Sequence, residues 1–530
     1  MSVVAIYGTG GIGKTWLALH WAHRCLEEFP DGQLYVNLRG FDPAGTPLDP
    51  AEALRGFLDA LGYPPGWIPV DQKAQAALYR KLASGRKILI ILDNARDLAQ
   101  VLPLLPRNKT CRVLITSRNQ VFGTNEPEGG CDINLGPFSN QDSFRLLTKY
   151  LGSGRIDAES CVAQKIHSDS RGLPLVLAIV GAQASAHGGT SLAAIVDELA
   201  KKTSQFDSSD DDLERVVQSV ISWAYDNLDD SSARVFRLLG MHPGPDISIA
   251  AAASLLGVSR SQAQAVLSEL VDVHLMTEHF VGRFTFRDLV KLYAVDRSFA
   301  VDTEDERRSA LHRVLDHYLH TAYAADRLRG PTRDPLGIAA VQRGVLPAEL
   351  ANIREARQWW EAEHEVLVAA VARAGNAGFH SHAWQLAWTL STFFDRRGHW
   401  RDWVATQEVA LDSARRLGNR SVEARALRPI GRAKMLLGSY EESYMHLQQA
   451  LDLFQQLGDR VGEAHTHHAF TELLDRQGRF AEALSHTQQA LELYRAVGHR
   501  AGEAIALNSV GWDLAQLGHH DDALAYCQQA

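Results

Sequence analysis

Cysteine is scarce in this 530-residue chain. The five present (Cys25, Cys111, Cys131, Cys161 and Cys527) are widely spaced and form no Cys-x-x-Cys pair. That excludes a disulfide framework and a cysteine zinc site, and it fits a reducing compartment. Long apolar runs are missing too. The longest, Leu173–Ala186, is too short to span a bilayer and contains Gly181 and Gln183. The first 25 residues carry no signal-peptide pattern. A soluble, cytoplasmic protein with no membrane partner is expected. Positive charge is in deficit: 54 Lys and Arg stand against 63 Asp and Glu, a net charge of −9. A whole-surface nucleic-acid binder, which needs clustered Lys and Arg, is thereby excluded. What remains is a globular composition, 45% hydrophobic and 22% charged. At ~150 residues per domain the length suggests three or four domains.

The run Val3-Val4-Ala5-Ile6-Tyr7 reads as a buried strand that begins almost at the first residue. The other end, Gln528-Gln529-Ala530, falls inside a repeat. The chain is therefore expected to be a fragment of a longer protein, with any effector domain outside it.

Gly8-Thr9-Gly10-Gly11-Ile12-Gly13-Lys14-Thr15 satisfies GxxxxGK[ST], between that strand and a helical stretch, Trp16–Phe29. Gly8, Gly10, Gly11 and Gly13, with Ile12 among them, allow backbone N–H groups to turn inward around phosphate oxygens. The following helix presents its positive end to the same anion. Lys14 is expected to reach the β- and γ-phosphates, and the Thr15 hydroxyl to ligate Mg²⁺.

A second apolar run, Ile88–Leu92, reads as a central parallel strand and ends in Asp93-Asn94. Asp93 at its carboxyl end is expected to face the phosphates and hold Mg²⁺, or else to serve as a turn or cap aspartate. Asn94 cannot act as a general base, so slow hydrolysis and long nucleotide occupancy follow. A third strand, Arg112–Thr116, leads into Ser117-Arg118. Arg118 is either a γ-phosphate sensor or a solvated strand-end arginine. Together, Lys14, Asp93 and Arg118 are the candidate catalytic residues.

Taken in order, the Lys14 loop, Leu92-Asp93-Asn94, Thr116-Ser117-Arg118 and Gly172-Leu173-Pro174-Leu175 resemble the NB-ARC group of signal-transduction ATPases with numerous domains, over roughly residues 3–300. By composition alone the last tetrad is any helix start with proline at its first position. The resemblance implies that Pro174 packs near adenine and ribose. Gln33–Leu38, Leu92–Ala95 and Leu239-Gly240-Met241-His242-Pro243-Gly244 look like the large antibiotic-pathway regulators of actinobacterial type (SARP-type). The resemblance implies an N-terminal DNA-binding effector, this ATPase and a repeat array, of which this chain holds the last two.

Ile249–Leu256, the turn Gly257-Val258 and Ser259–Val273 read as helix-turn-helix, with wing strands around Leu275-Met276 and Phe284–Phe286. The second helix sets Arg260 against Glu269 and Asp272, a net −1, so no DNA-reading surface is expected there. In the family a Met-His-Asp triplet approaches the β-phosphate of ADP. Phe286-Arg287-Asp288 stands here in its place. Arg287 can donate to phosphate in bidentate fashion at every pH, or it is a surface cation.

Gly398, Gly438, Gly478 and Gly518 recur every 40 residues, as do Ala410, Ala450, Ala490 and Ala530. Trp400, Tyr440 and Phe480 each follow a glycine by two positions. This period means stacked helix pairs and looks like a tetratricopeptide array, whose groove is expected to take a protein or peptide. His465, His467 and His468 would point to different faces of one helix and so form no metal site. The expected fold is multidomain α/β plus α: a P-loop parallel-sheet domain (1–136), a helical subdomain (137–203), an acidic loop (204–212), a winged helix (213–300), a helical connector (301–397) and a tetratricopeptide α-solenoid (398–530). The expected function is an ADP/ATP- and Mg²⁺-dependent switch that self-associates when ATP-bound and acts on transcription through the effector. A repeat scaffold with a structural nucleotide and a dedicated P-loop ATPase are the alternatives.

Overall fold

The computed structural model describes residues 2–41, 47–121, 130–186, 191–203, 212–330, 333 and 335–530. Most of the expected acidic loop (204–211) lies outside them. The chain divides into two compact units. One comprises Met1–Met241 and Ser259–Arg307, the other His242–Val258 and Arg308–Ala530. Among the described residues no helix is long and apolar enough to cross a membrane.

The first unit is built on five parallel strands: β1 (Ser2–Tyr7), β2 (Gln33–Asn37), β3 (Leu89–Ala95), β4 (Arg112–Ser117) and β5 (Gly130–Asn134), ordered β2-β3-β4-β1-β5. Alternation along the strands divides their side chains between two cores. Val3, Ala5, Ile90, Leu92, Val113 and Ile115 pack with Phe57 and Tyr79 on one face. Ile6, Leu89, Ile91 and Leu114 pack with Ala18, Ala22 and Phe29 on the other. Burial on both faces is why β3 and β4 read as unbroken apolar runs, each large aliphatic contributing about 1.5–3 kcal/mol. β5 was not expected: Gly130-Cys131-Asp132-Ile133-Asn134 has no such run, because it is an edge strand that pairs only with β1. The first helix also differs from the sequence reading. It runs Lys14–Arg24, and a 3₁₀ turn at Leu26–Glu28 completes the stretch to Phe29.

Helices Asn140–Leu151, Ser160–Asp169 and Pro174–Ala186 follow the sheet. The last is buried almost all round, including Leu175, Val176, Leu177, Ile179 and Val180. Further on, helix Asp230–Gly240 is tied to the end of helix Asp288–Val301 by a buried ion pair. Arg237 donates to both oxygens of Asp302 at 2.8–3.1 Å and to the Tyr225 hydroxyl at 2.6 Å.

Helices form at Ile249–Leu256 and Arg260–Asp272, the second opened by a Ser259–Gln262 capping box. The unit boundary runs between them, so Ile249–Leu256 belongs to the second unit and Arg260–Asp272 to the first. The wing strands pair as Thr277–Phe280 with Arg283–Thr285. The first lies beyond Leu275-Met276, because the N–H groups of both those residues turn back to the Leu270 carbonyl and their side chains are buried. Glu269, on the second helix, accepts a hydrogen bond from the Ser232 hydroxyl at 2.7 Å.

The second unit continues from helices Ile353–Asn376 and His380–Arg397 into the repeat helices Trp400–Arg416, Arg420–Leu436, Tyr440–Leu457, Arg460–Arg476, Phe480–Val497, Arg500–Gln516 and His520–Gln529. Gly458 and Gly498 end their helices in the left-handed region, at φ 66° and 68°. Close crossings need small residues. A Cβ on Gly462 would sit 2.3 Å from the Phe454 ring, and one on Gly502 2.5 Å from Tyr494, a contact repeated at the 40-residue period. Ala410, Ala450 and Ala490 are buried between helices, while Ala530 is exposed. The fold class expected from the sequence is therefore the one observed: a parallel-sheet P-loop domain with helices, followed by a tetratricopeptide α-solenoid.

Candidate functional site

The loop after β1 follows a path that only glycine tolerates. Gly8, at φ 149°, would bring a Cβ to 2.6 Å from the Leu135 carbonyl. Gly13, at φ 98°, is the N-cap of helix Lys14–Arg24 and leaves its first N–H groups without a side-chain cap. Those donors and the helix dipole converge on the concave side of the loop. Lys14 folds over it, its Nζ donating to the carbonyls of Gly8 and Thr9 at 2.8 Å each. Burial, and then the charge of Arg118, push the Lys14 ammonium down to about 8, against the pull of Asp93 and Asp288.

Asp93 stands at the carboxyl end of β3, buried, and gathers three hydroxyls. Its Oδ1 accepts from Thr15 Oγ1 at 2.8 Å and from Thr116 Oγ1 at 2.5 Å, and its Oδ2 accepts from the Tyr35 hydroxyl at 3.2 Å. The Thr15 hydroxyl and Asp93 carboxylate form the hard oxygen pair that suits Mg²⁺. Asn94 adopts φ 56°, a left-handed geometry that asparagine tolerates better than most residues. The turn is held by Asn94 N–H to Thr116 Oγ1 at 2.9 Å and by Gly40 N–H to the Asn94 carbonyl at 2.7 Å.

Arg118, just past β4, donates through a terminal guanidinium nitrogen to Asp288 Oδ2 at 2.8 Å and lies over the Phe41 ring. The next residue, Leu289, reaches the phosphate loop, with its Cδ1 3.9 Å from where a Gly10 Cβ would be. From another side, Leu175 N–H donates to the Gly11 carbonyl at 3.3 Å, which sets Pro174, at the start of its helix, beside the loop. Lys14, Thr15, Asp93, Arg118, Pro174 and Asp288 thus surround one loop.

Arg287 points to a different group of partners. Its side chain is exposed to solvent, and the surrounding protein lowers its proton affinity, with Tyr150 opposing. Next to it the Tyr150 hydroxyl and His274 Nε2 lie 2.7 Å apart. Burial, and then the Arg287 charge, hold the His274 imidazole below its usual value, with Asp272 opposing. The sequence reading missed Thr116, Tyr35, Tyr150 and His274. Only Thr116, next to the Ser117-Arg118 step, carried a signal that could have exposed it.

In the repeat unit, a cleft of about 260 Å³ is lined by Arg396, Arg428, Arg432, Asp395 and Trp403 beside Pro429, a proline inside helix Arg420–Leu436. His465 meets the Tyr494 hydroxyl at 2.6 Å, and His467 meets His486 at 2.9 Å. His468 lies 3.7 Å from Glu472, so the three histidines diverge.

The tetratricopeptide-repeat family model matches residues 422–496 and 472–530. The regulatory protein AfsR of Streptomyces coelicolor is 33% identical over 454 residues, 84% of this chain and 44% of that protein. AfsR of Streptomyces griseus is 33% identical over 457 residues, 85% of this chain and 46% of its own length. The chain thus spans less than half the length of these curated relatives. The disease susceptibility protein LOV1 of Arabidopsis thaliana is 23% identical over 251 residues, covering 43% of this chain and 26% of that protein. Among solved structures, a signal transduction ATPase with a tetratricopeptide repeat sensor from Pyrococcus horikoshii aligns with 97% of this chain and 84% of its own, at 16% identity and a TM-score of 0.38.

Proposed function

We propose that this chain, which is similar to the AfsR regulators, belongs with the P-loop signal-transduction ATPases that carry tetratricopeptide repeats and is an ADP/ATP-dependent switch within a protein that regulates transcription. The observation that carries the reading is the contact of Arg118 with Asp288. A segment 170 residues downstream of β4 closes on the phosphate loop through a charge pair that a bound phosphate would compete for or reinforce. A nucleotide there would touch both the sheet and the segment from Arg287 to Leu289.

Bound Mg²⁺ would supply charge neutralisation at the β- and γ-phosphates. Thr15 and Asp93 would hold it, and Lys14 would swing from the Gly8 and Thr9 carbonyls to the phosphates. Asn94, lacking a carboxylate, would leave the attacking water without a general base at that position, so turnover would be slow. Arg118 and Asp288 would exchange partners between the two nucleotide states. Shifting such a switch from 1:99 to 99:1 takes ~5.5 kcal/mol of differential binding. A ligand on the repeats would supply it, with its anionic portion in the arginine-lined cleft. Release of the closed state would allow self-association.

The nucleotide carried by freshly purified protein tests this reading. After denaturation, chromatography should return near-stoichiometric ADP from the parent and none from Lys14→Ala. An empty parent would favour a repeat scaffold. Rapid, partner-independent Mg-ATP turnover would favour a dedicated ATPase.

A further inference from the structure

Helix Glu304–Arg329 carries His312 and Asp316 one turn apart, hence on one face. His382, in the first turn of helix His380–Arg397, meets them. One donor atom from each of the three residues can be chosen so that all lie within 4.8 Å of one another. Asp316 Oδ1 is the centre, 2.8 Å from His382 Nε2 and 3.8 Å from His312 Nε2. Its other oxygen is already used: Asp316 Oδ2 accepts the Gln342 N–H at 2.9 Å. The Gln342 carboxamide touches His312 Nδ1 and comes to 3.3 Å from His312 Nε2. Phe379 packs against both imidazoles, at 5.0 Å and 5.7 Å between ring centres.

We propose that His312, Asp316 and His382 bind one divalent ion of the late first transition row, with zinc as the best fit. Two imidazoles and one carboxylate form a mixed nitrogen and oxygen set. Mg²⁺ and Ca²⁺ prefer oxygen throughout, and softer ions prefer the thiolates this cluster lacks. Three protein ligands with room for a fourth is a common zinc arrangement. The Gln342 carboxamide is placed to provide the fourth, since its oxygen and nitrogen exchange by a flip, and a water could serve instead. The supporting hydrogen bond is one that metal ligands require: the carboxylate is held by the Gln342 backbone N–H.

Opposing charge is present and sets the limit on affinity. Arg308 lies over the Phe379 ring and is fastened to the Ala377 carbonyl at 3.1 Å. The positive end of helix His380–Arg397 is also near. The ion would take the place of the proton that links His382 to Asp316, leaving one negative ligand to offset its charge. It would fasten helix Glu304–Arg329, the Gln342 segment and helix His380–Arg397 together, ahead of the repeats. A second group, His364, His399 and Asp402, also brings donor atoms together. There the His364 and His399 rings pack 4.0 Å apart centre to centre, and His364 meets the carboxylate at 2.7 Å. It provides the internal control.

The test uses the whole chain, stripped of metal and held in excess Mg²⁺ to occupy oxygen sites, then titrated with Co²⁺. One equivalent should bind with the visible absorption of a low-coordinate nitrogen and oxygen site, and Zn²⁺ should displace it. His382→Gln and His312→Gln should each lose that equivalent while keeping the parent's circular dichroism. His364→Gln and Lys14→Ala should keep it. The metal should raise the melting temperature of the parent and leave that of His382→Gln unchanged. No bound equivalent in the parent, or an equivalent that survives both His382→Gln and His312→Gln, would overturn the proposal, and neither result bears on the nucleotide reading.

Discussion

Lys14 carries the sharpest chemical consequence of any single residue. With its ammonium pushed down to about 8, it loses its charge in a range where an ordinary lysine keeps it. Phosphate needs the charged form, so nucleotide affinity should hold below pH 8 and fall above it. The fall should approach tenfold per pH unit, because above the shifted value binding takes up one proton. Titration calorimetry of ADP at pH 7, 8 and 9 measures this, and a flat profile would mean that Lys14 does not bear on the phosphates. Asp288 makes a complementary case. Its pair with Arg118 is more than a third exposed on the aspartate side, so Asp288→Asn should change stability by less than about 1 kcal/mol. If the pair is part of the switch, the same change should alter the ADP release rate several-fold. Unaltered release would reduce the pair to a surface contact.

Among the elements, legibility followed periodicity. β1, β3 and β4 could be read because burial on both sheet faces gives each an unbroken apolar run, and the loop because its glycines and lysine are fixed in spacing. The repeats could be read because glycines in the left-handed region (Gly398, Gly438, Gly478 and Gly518) and buried alanines (Ala410, Ala450 and Ala490) recur at the 40-residue period. β5 could not: it is an edge strand that lacks even the alternation of Leu34 and Val36 that marks β2, the other edge. Nor could the Tyr150–His274 contact, which joins residues 124 positions apart and leaves no local pattern. The same is true of a carboxyl pair in the repeats. Asp475, on helix Arg460–Arg476, and Asp513, on helix Arg500–Gln516, interact, and Thr487 donates to Asp513 Oδ2 at 2.8 Å. Burial first, and then Asp475, push Asp513 up to about 7. A folded carboxyl that holds its proton to pH 7, against 3.8 for the ordinary group, is stabilising in full below 3.8, and that stability is lost as pH rises through 7. The slope in that window is at most about 1.4 kcal/mol per pH unit. Urea denaturation of the repeat unit should therefore show lower stability at pH 8 than at pH 5. Asp513→Asn, which keeps a donor for Asp475, should remove the difference and raise stability at pH 8.

For the whole molecule, the division into two units makes separate predictions for a nucleotide and for a metal. Every residue assigned to the phosphate loop and its surroundings, from Gly8 to Leu289, belongs to the first unit, and His312, Asp316 and His382 belong to the second. A ligand stabilises the cooperative unit that contains its site, by RT ln(1 + [L]/Kd), about 2.7 kcal/mol at a hundredfold excess over Kd. If the units unfold as separate transitions, the binding term of ADP should raise the transition of the first unit and that of Zn²⁺ the transition of the second. Lys14→Ala should cancel only the first shift and His382→Gln only the second. A switch, however, needs the two units to be coupled. A repeat ligand that lowers ADP affinity must by linkage have its own affinity lowered by ADP by the same factor. Coupling would therefore appear as a nucleotide-dependent displacement of the repeat transition, present with ADP and reduced with ATP. Independent transitions that ignore which nucleotide is bound would leave the chain as two domains in series, and the scaffold reading would then replace the switch.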